Sequence, residues 1–395
     1  MRSSPRLILV LQLTTALLAA GYGVMFTVLD DFRDKYSISE SSLGLVVAIG
    51  FFTSFIGQVT LAPLADRGHA RSLMVWGMSI VVGGTVLMAM GKTLPALLLA
   101  RFFMGFGTGM AVPAIRRVIV LADPDNLGRN LGRLLSLDVA GFAAGPVVSA
   151  LTVGTFGLAA PFLLMAGALA VLVPIVASHH VQETADPPKE RFALDLLRER
   201  GMAGAVVIGL AVFLMIGTFD ALWALMMDDL RAPQWMANVG ITVFAVPLVI
   251  LGPLGGKLAQ RHGPLRVSTF GLCGAALAMC AYGFLPAAWM LLAVGVVHST
   301  NDGLTVTGTG IAVGLVAPPD RQAGAQGLLG GLQTLTGGLS AISAGWSYQH
   351  FGRGRTFLAC ALIMVTLVGV GAWLSGAAWG VRGSVEDGAA VALRV

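Results

Sequence analysis

Residues 62–68 read APLADRG, and residues 256–263 read GKLAQRHG. Each segment lies between the second and the third long apolar run of its half of the chain. Two further pairs keep the same order at an offset of about 195 residues: LDDFR at 29–33 with MDDLR at 227–231, and VLADP at 120–124 with VAPPD at 316–320. Three matches in one order indicate an internal duplication, which is the pattern of membrane proteins built from two parallel repeats.

The composition is that of a membrane protein. Apolar residues make up 56% of the 395 residues, charged residues make up only 11%, and 52 residues are glycine. A soluble domain carries about a quarter charged residues, whereas a spanning helix needs roughly 20 apolar residues and tolerates glycine at close helix contacts. The pattern predicts an all-α membrane protein with twelve transmembrane helices, at about 6–29, 42–64, 72–91, 94–116, 131–153, 158–178, 203–227, 236–257, 266–285, 288–316, 324–348 and 356–379.

The longest polar interruption separates the two halves. It contains TADPPKER at 184–191, which is typical of a linker. We therefore expect an N-terminal six-helix bundle, a linker, a C-terminal six-helix bundle and a tail, at 1–178, 179–201, 202–380 and 381–395. Lys and Arg are more frequent on the linker side of the predicted spans, which predicts a multi-pass protein of the cell membrane with both termini in the cytoplasm. The basic residues form no single patch, so we expect the lipid bilayer and no nucleic acid as a partner, and a monomer.

Three segments resemble signatures of the major facilitator superfamily, and the similarity covers nearly the whole chain. The loop from Ala62 to Arg71 is similar to Gly-x-Leu-Ala-Asp-Arg-x-Gly-Arg-Arg, although Ala62 replaces the first Gly and one residue is missing before Gly68. In the second half Gln260 stands in place of the Asp. RFFMGFG at 101–107 resembles Arg-x-x-x-Gly-x-Gly, and GFAAGP at 141–146 resembles the Gly-x-x-x-Gly-Pro of the antiporter branch, chiefly drug–proton exporters. The resemblance implies two pseudo-symmetric six-helix bundles, a small-molecule substrate and alternating access.

Two of these segments suggest moving parts. A carboxylate at the end of the second span can pair with arginines and with the N-terminus of a neighbouring helix. We therefore predict a conformational latch on the cytoplasmic side, formed by Asp66, Arg67, Gly68 and Arg71. The alternative is a solvated loop whose charges only set the topology.

Small residues and a proline permit close contact between helices and a bend. This pattern predicts a hinge at Gly141, Gly145 and Pro146, with ordinary helix packing as the alternative.

Ionisable residues inside the predicted spans are the strongest functional candidates, because each costs at least ~2.5 kcal/mol at the bilayer centre on insertion scales. Burial favours the protonated form of a carboxyl. We predict proton coupling at three buried carboxyls and at a histidine four residues from one of them: Asp138, Asp220, Asp302 and His298. A static hydrogen-bonded pair is the alternative for the histidine and its neighbour. Arg101 is interpreted as the partner of a carboxylate, and a clamp for a substrate anion remains the alternative.

A substrate cavity is predicted from side chains of the first, fourth, seventh and tenth spans. These are Tyr22, Phe26, Arg101, Phe219, Trp223 and Asn301. Aromatic rings, methionines and one or two acids suit lipophilic cations. The alternative for any single aromatic residue is a position against lipid or a neighbouring helix.

These features predict a secondary active transporter that exports small amphipathic or cationic compounds in exchange for protons. One alternative is proton-coupled uptake or facilitated transport of a nutrient such as an organic acid or sugar, and a second is a non-transporting membrane sensor or scaffold. The chain is not expected to be an enzyme or to bind a metal or cofactor, since it contains neither a P-loop nor a nucleophile-elbow motif. The proton gradient is the expected energy source.

Overall fold

The computed structural model describes residues 5–181, 183 and 187–383, without the side chains at positions 5, 26, 30, 40, 41, 234, 237–239 and 241. Over this part of the chain the structure is helical, and the prediction of an all-α protein is confirmed. The α-helices are α1 (Pro5–Thr27), α2 (Leu29–Tyr36), α3 (Glu40–Thr60), α4 (Ala70–Met90), α5 (Leu94–Ala122), α6 (Leu127–Phe156), α7 (Ala160–Ser178), α8 (Arg200–Asp229), α9 (Gln234–His262), α10 (Pro264–Phe284), α11 (Ala288–Thr305), α12 (Gly308–Val316) and α13 (Gln322–Ser375).

Ten helices in the described part are long and apolar enough to cross a membrane. The first nine predicted spans each correspond to one of them. The span predicted at 288–316 is not among the ten, and it consists of α11 and α12, which meet at Val306 and Thr307. The last two predicted spans both lie in α13, where the backbone leaves the helical region at Gly352, with φ 79° and ψ 170°. Glycine adopts this conformation without the steric cost of a Cβ, which explains the sharp break between the two spans.

Two equivalent glycines end the repeated loops. Gly68 has φ 85° and Gly263 has φ 98°, and each is followed within two residues by the next long helix, α4 or α10. Left-handed φ values favour glycine, and Pro264 then begins α10 with a φ that suits the first helical position. Both repeated loops thus end at a glycine with positive φ, but ψ is 18° at Gly68 and 108° at Gly263, so the two turns differ in backbone conformation.

The described residues form two compact units. The first takes the described residues within Met1–Asp123, Leu137–Ala193 and Pro319–Gly331, and the second takes those within Pro124–Ser136, Leu194–Pro318 and Leu332–Val395. Each unit thus includes a short segment from the other half of the chain: the start of α13 belongs to the first unit and the start of α6 to the second. The division into bundles at 1–178 and 202–380 stays a prediction, and residues 384–395 of the tail lie outside the described residues.

Candidate functional site

The carboxylate of Asp66 connects α5 to the start of α13. Arg117 Nε donates to Asp66 Oδ1 at 3.0 Å, and the backbone N–H groups of Ala323 and Gly324 donate to Oδ1 at 2.9 Å and to Oδ2 at 2.7 Å. Asp66 and Arg117 expose only 2% and 3% of their surface. The first N–H groups of a helix have no intrahelical acceptor and carry the positive end of its dipole, so they stabilise a carboxylate. These four residues form the Asp66 junction.

The contacts predicted for the Asp66 carboxylate, with an arginine and with a helix N-terminus, are present, but Arg67 and Arg71 do not make them, and the latch function stays a prediction. The arginine that meets Asp66 is Arg117 of α5, which the sequence did not single out for this role. Arg71 instead donates to the carbonyl oxygen of Ala177 at the end of α7. The carbonyl oxygen of Arg67 lies 2.9 Å from Nδ1 of His69 within its own loop.

A neutral counterpart lies in the second unit, where Gln260 occupies the position equivalent to Asp66. Its Oε1 accepts the backbone N–H of Gly128 at 2.7 Å. Its Nε2 lies 3.1, 3.3 and 2.9 Å from the carbonyl oxygens of Pro124, Asp125 and Gly383. An amide can donate and accept at once, so one side chain satisfies both kinds of backbone group. These residues form the Gln260 junction.

The glycines of the predicted hinge hold α1 and α6 in close contact. A Cβ added at Gly141 would collide with the carbonyl oxygen of Ala16, and one at Gly145 would collide with the backbone of Gly23. Pro146 lies inside α6 directly after this contact. Because Gly141 and Gly145 have no side chain, the backbones of α1 and α6 can pack directly against each other. The packing is observed, and the hinge function stays a prediction.

His298 and Asp302 form a buried polar cluster in the second unit. His298 Nε2 lies 3.4 Å from Asp302 Oδ2 and 3.2 Å from Met215 Sδ, while Nδ1 lies 3.1 Å from the hydroxyl of Tyr282. Asn301 Nδ2 donates to Asp302 Oδ1 at 3.3 Å. When the tyrosine hydroxyl donates to Nδ1, the neutral imidazole carries its proton on Nε2, which faces the carboxyl group. The predicted pairing of His298 with Asp302 is present, and its other two neighbours come from distant parts of the chain.

Aromatic rings enclose this cluster. The ring of Phe219 lies 5.3 Å from that of Tyr282, and the ring of Phe244 lies edge-on to His298 at 5.4 Å. Phe219 and Trp223 expose only 4% and 2% of their surface. The ring of Phe219 lies edge-on to His298 at 6.3 Å, and Trp223 packs against Phe219 at 5.3 Å, whereas their contact with a substrate stays a prediction. The side chain of Phe26, also a predicted cavity residue, lies outside the described part.

An irregular turn between α11 and α12 follows the cluster. Val306 and Thr307 keep helical φ and ψ, and the N–H of Val306 still donates to the carbonyl oxygen of Asp302 at 3.0 Å, so the helix is distorted and not broken. The amide of Asn301 also donates to the carbonyl oxygen of Gly271 at 2.9 Å, which ties α11 to α10 beside this turn. Distortions of this kind are tolerated in membrane helices where neighbouring groups satisfy the freed backbone. Here Ser268 does so, since its hydroxyl donates to the carbonyl oxygen of Thr305 at 3.1 Å.

The three carboxyls predicted to be buried differ in their surroundings. Asp302 is 2% exposed, whereas the side chains of Asp138 and Asp220 keep accessible surface, although enough protein atoms surround both carboxyls to desolvate them. Thr218 and Phe219 are buried and Asp220 is not, because neighbouring residues on a helix point about 100° apart. Asp138 interacts electrostatically with Arg116 of α5 within the first unit.

Arg101 is buried completely in the first unit, with 0% of its surface exposed. Its guanidinium carbon lies 4.2 Å from the ring centre of Tyr22 and 5.9 Å from that of Phe51. Gly50 makes room for it, since a Cβ there would overlap the guanidinium. None of the three guanidinium nitrogens has a hydrogen-bond partner among the described residues. The predicted carboxylate partner of Arg101 is therefore not found in the described part, and aromatic faces stabilise the charge instead.

Comparison with known protein families gives one consistent match. The profile of the Major Facilitator Superfamily matches residues 11–219 and 205–379. The multidrug resistance protein MdtG of Serratia proteamaculans is 28% identical over 279 residues, which cover 66% of this chain and 66% of that protein. The matched part is thus slightly less than two thirds of the relative. The matches are to transporters, in agreement with the prediction that the chain is not an enzyme.

Solved structures share the fold at low identity. The proton:xylose symporter XylE matches with a TM-score of 0.78 and 13% identity, over 98% of each chain. The human organic anion transporter MFSD10 matches with a TM-score of 0.76 and 15% identity, over 93% of this chain and 100% of that one. At such identities the likeness establishes the architecture alone, and it agrees with the predicted fold.

Proposed function

The chain belongs to the major facilitator superfamily, and from this we propose that it is a transporter that exports small amphipathic or cationic compounds in exchange for protons. The similarity to a multidrug resistance protein and the antiporter-like segment GFAAGP at 141–146 support the direction and the class of substrate. The proposal includes residence in the cell membrane as a monomer, with both termini in the cytoplasm, as the distribution of Lys and Arg predicts.

The observation that carries the proposal is the buried cluster around Asp302. A carboxylate removed from water is stable only when it is paired with a charge or protonated. Within the described residues, the groups that contact Asp302 are His298 and Asn301, and neither carries a permanent positive charge. Asp302 is thus suited to hold a proton when buried and to release it when the cluster opens to water. His298 provides the adjacent site to which the proton can pass.

The exposed carboxyls are the groups that bind the cationic substrate in the proposed exchange. Asp138 and Asp220 lie inside predicted spans but are exposed in their units, so a cationic substrate can reach them without dismantling a packed cluster. In our proposal, substrate binds to an ionised carboxyl from the cytoplasm, and a proton arriving from outside neutralises that group and releases the substrate. The energy of the proton gradient drives the cycle, and the Asp66 junction opens and closes with it.

The test is transport by purified protein in proteoliposomes with an imposed pH difference and a lipophilic cation such as ethidium as substrate. Asp302→Asn keeps the size and the polarity of the side chain but cannot take up and release the coupling proton. We expect it to abolish proton-driven export while substrate binding is partly retained. Asp31→Asn, the same change at an exposed position outside the predicted spans, is the matched control and retains transport. Export by Asp302→Asn at the native rate would refute the proposal.

A second candidate is transport of an anionic substrate, which the environment of Arg101 favours. A buried guanidinium without hydrogen-bond partners can accept a carboxylate in bidentate geometry, and Tyr22 beside it is half-buried. Under this candidate Arg101→Gln abolishes transport of an organic acid and leaves transport of a lipophilic cation intact. Transport of the lipophilic cation by the native chain, without transport of any organic acid, would instead support the export proposal.

A further inference from the structure

The linker between the two halves is attached to the helix that follows the Asp66 loop. The carboxylate of Glu183 accepts the backbone N–H of Ala70 at 3.1 Å and that of Arg71 at 3.0 Å. These are the first two residues of α4. A carboxylate at this position satisfies N–H groups that have no intrahelical acceptor and interacts favourably with the helix dipole. One end of the linker therefore holds the start of α4 in place.

The other end of the linker is attached to the start of α13. Arg321, which directly precedes α13, donates to the carbonyl oxygen of Phe192 at 2.8 Å and lies 3.9 Å from Oε2 of Glu190. Ala193 is buried at 4% exposure. A Cβ added at Gly324 would lie 2.9 Å from the Cβ of Ala193. The linker thus packs directly against the residue whose N–H group binds Asp66.

From these contacts we infer that Glu183 and Arg321 are positioning residues for the Asp66 junction. The junction requires that two N–H groups of α13 point at a carboxylate held in the loop before α4. Glu183 fixes the start of α4, and Arg321 fixes the start of α13 through the segment from Glu190 to Ala193. The linker is therefore a docked element that keeps the junction closed, and it must undock from one of the two helix starts when the junction opens. This inference goes beyond the proposed function and does not depend on the substrate or on proton coupling.

The inference is tested by the chemical accessibility of the junction in the full-length chain, purified in lipid nanodiscs. Ala323→Cys places a thiol at a position that is 0% exposed. Cys273 and Cys280 are replaced by Ser, whereas the native buried Cys360 is retained as a reporter of global unfolding. The rate of maleimide labelling is measured at both thiols by peptide mass spectrometry. Into this background we introduce Arg321→Gln or Glu183→Gln, and Lys189→Gln as an exposed control within the linker.

We expect each positioning variant to raise labelling at position 323 roughly tenfold, which corresponds to about 1.4 kcal/mol, because each substitution weakens or removes a hydrogen bond made by a charged group. Labelling at Cys360 and in the Lys189→Gln control should not change. In an Asp66→Asn background, which opens the junction directly, Arg321→Gln should add little further, because both act through the same contact. Three results would overturn the inference: native labelling rates in both variants, a parallel rise at Cys360, or full additivity with Asp66→Asn.

Discussion

The Asp66 junction and the Gln260 junction occupy equivalent places in the two repeats but use opposite chemistry. The first is an ionic cluster, in which a carboxylate takes two backbone N–H groups and a buried arginine. The second is neutral, in which one amide serves a backbone N–H and three carbonyl oxygens. Both connect a repeated loop to the start of a long helix, which is α13 for the first and α6 for the second.

Because of this difference, the stability of the Asp66 junction should depend more strongly on its individual partners than that of the Gln260 junction. A buried charge depends on every group that compensates it, and removal of one partner leaves an uncompensated charge. A neutral amide loses only the hydrogen bonds that are removed. The loss of the acidic residue from the second repeat is therefore compatible with an intact junction, because glutamine satisfies the surrounding carbonyl oxygens that a carboxylate would repel.

The largest effect is expected from Arg117→Ala in the ionic junction. The substitution leaves the Asp66 carboxylate buried with two N–H donors and no positive charge, which should destabilise the protein by about 3 kcal/mol. The thermal midpoint of the purified protein in detergent measures this effect. Arg129→Ala, at an exposed arginine near the start of α6, is the control and should change the midpoint little. Equal midpoints for the two variants would show that the ionic junction contributes no stability.

An intermediate effect is expected when the neutral junction is given a charge. Gln260→Glu places a carboxylate opposite three carbonyl oxygens, whereas Gln260→Met removes the same hydrogen bonds without adding charge. We expect the glutamate variant to be less stable than the methionine variant by about 1–2 kcal/mol, as measured by thermal unfolding in detergent at neutral pH. A glutamate variant as stable as the native chain would contradict the proposed difference in chemistry between the two junctions.

The smallest effect is expected from Gly68→Ala. Gly68 lies in the left-handed helical region, with φ 85° and ψ 18°, so an alanine there should cost about 1 kcal/mol. Gly263 has φ 98° and ψ 108°, outside the regions open to residues with a Cβ, so Gly263→Ala should cost more than Gly68→Ala. Neither Cβ meets another atom closer than 3.5 Å, so backbone strain alone should set both costs. The unfolding midpoints of the two variants measure the difference, and equal shifts would contradict it.

Hydrophobic runs and the repeat were sufficient to predict the helices and the place of the Asp66 carboxylate. The sequence did not identify its partner, because Arg116 and Arg117 are adjacent on α5 and point about 100° apart. Only the packing of α5 shows that Arg117 turns toward Asp66, 51 residues earlier in the chain. The Gln260 junction was not predicted either, because glutamine is uncharged and the candidate residues were chosen for their charge.

For the ionisable residues within the spans, the sequence likewise predicted contacts along one helix but not contacts between helices. His298 and Asp302 were paired correctly because four residues along a helix return to the same face. Tyr282 and Met215 belong to other helices and come near His298 only through tertiary packing. Asp138 and Asp220 keep accessible surface, unlike Asp302, because hydrophobic neighbours in sequence do not determine which face of a helix is packed.

The central claim is that substrate leaves in exchange for protons, and the most direct test follows both species at once. Proteoliposomes containing the native chain are loaded with a lipophilic cation at equal pH on both sides, and internal pH is recorded while the cation flows down its own gradient. We expect protons to move opposite to the cation in native vesicles and no such proton movement in Asp302→Asn vesicles. Cation flow through the native chain without any change in internal pH would contradict it.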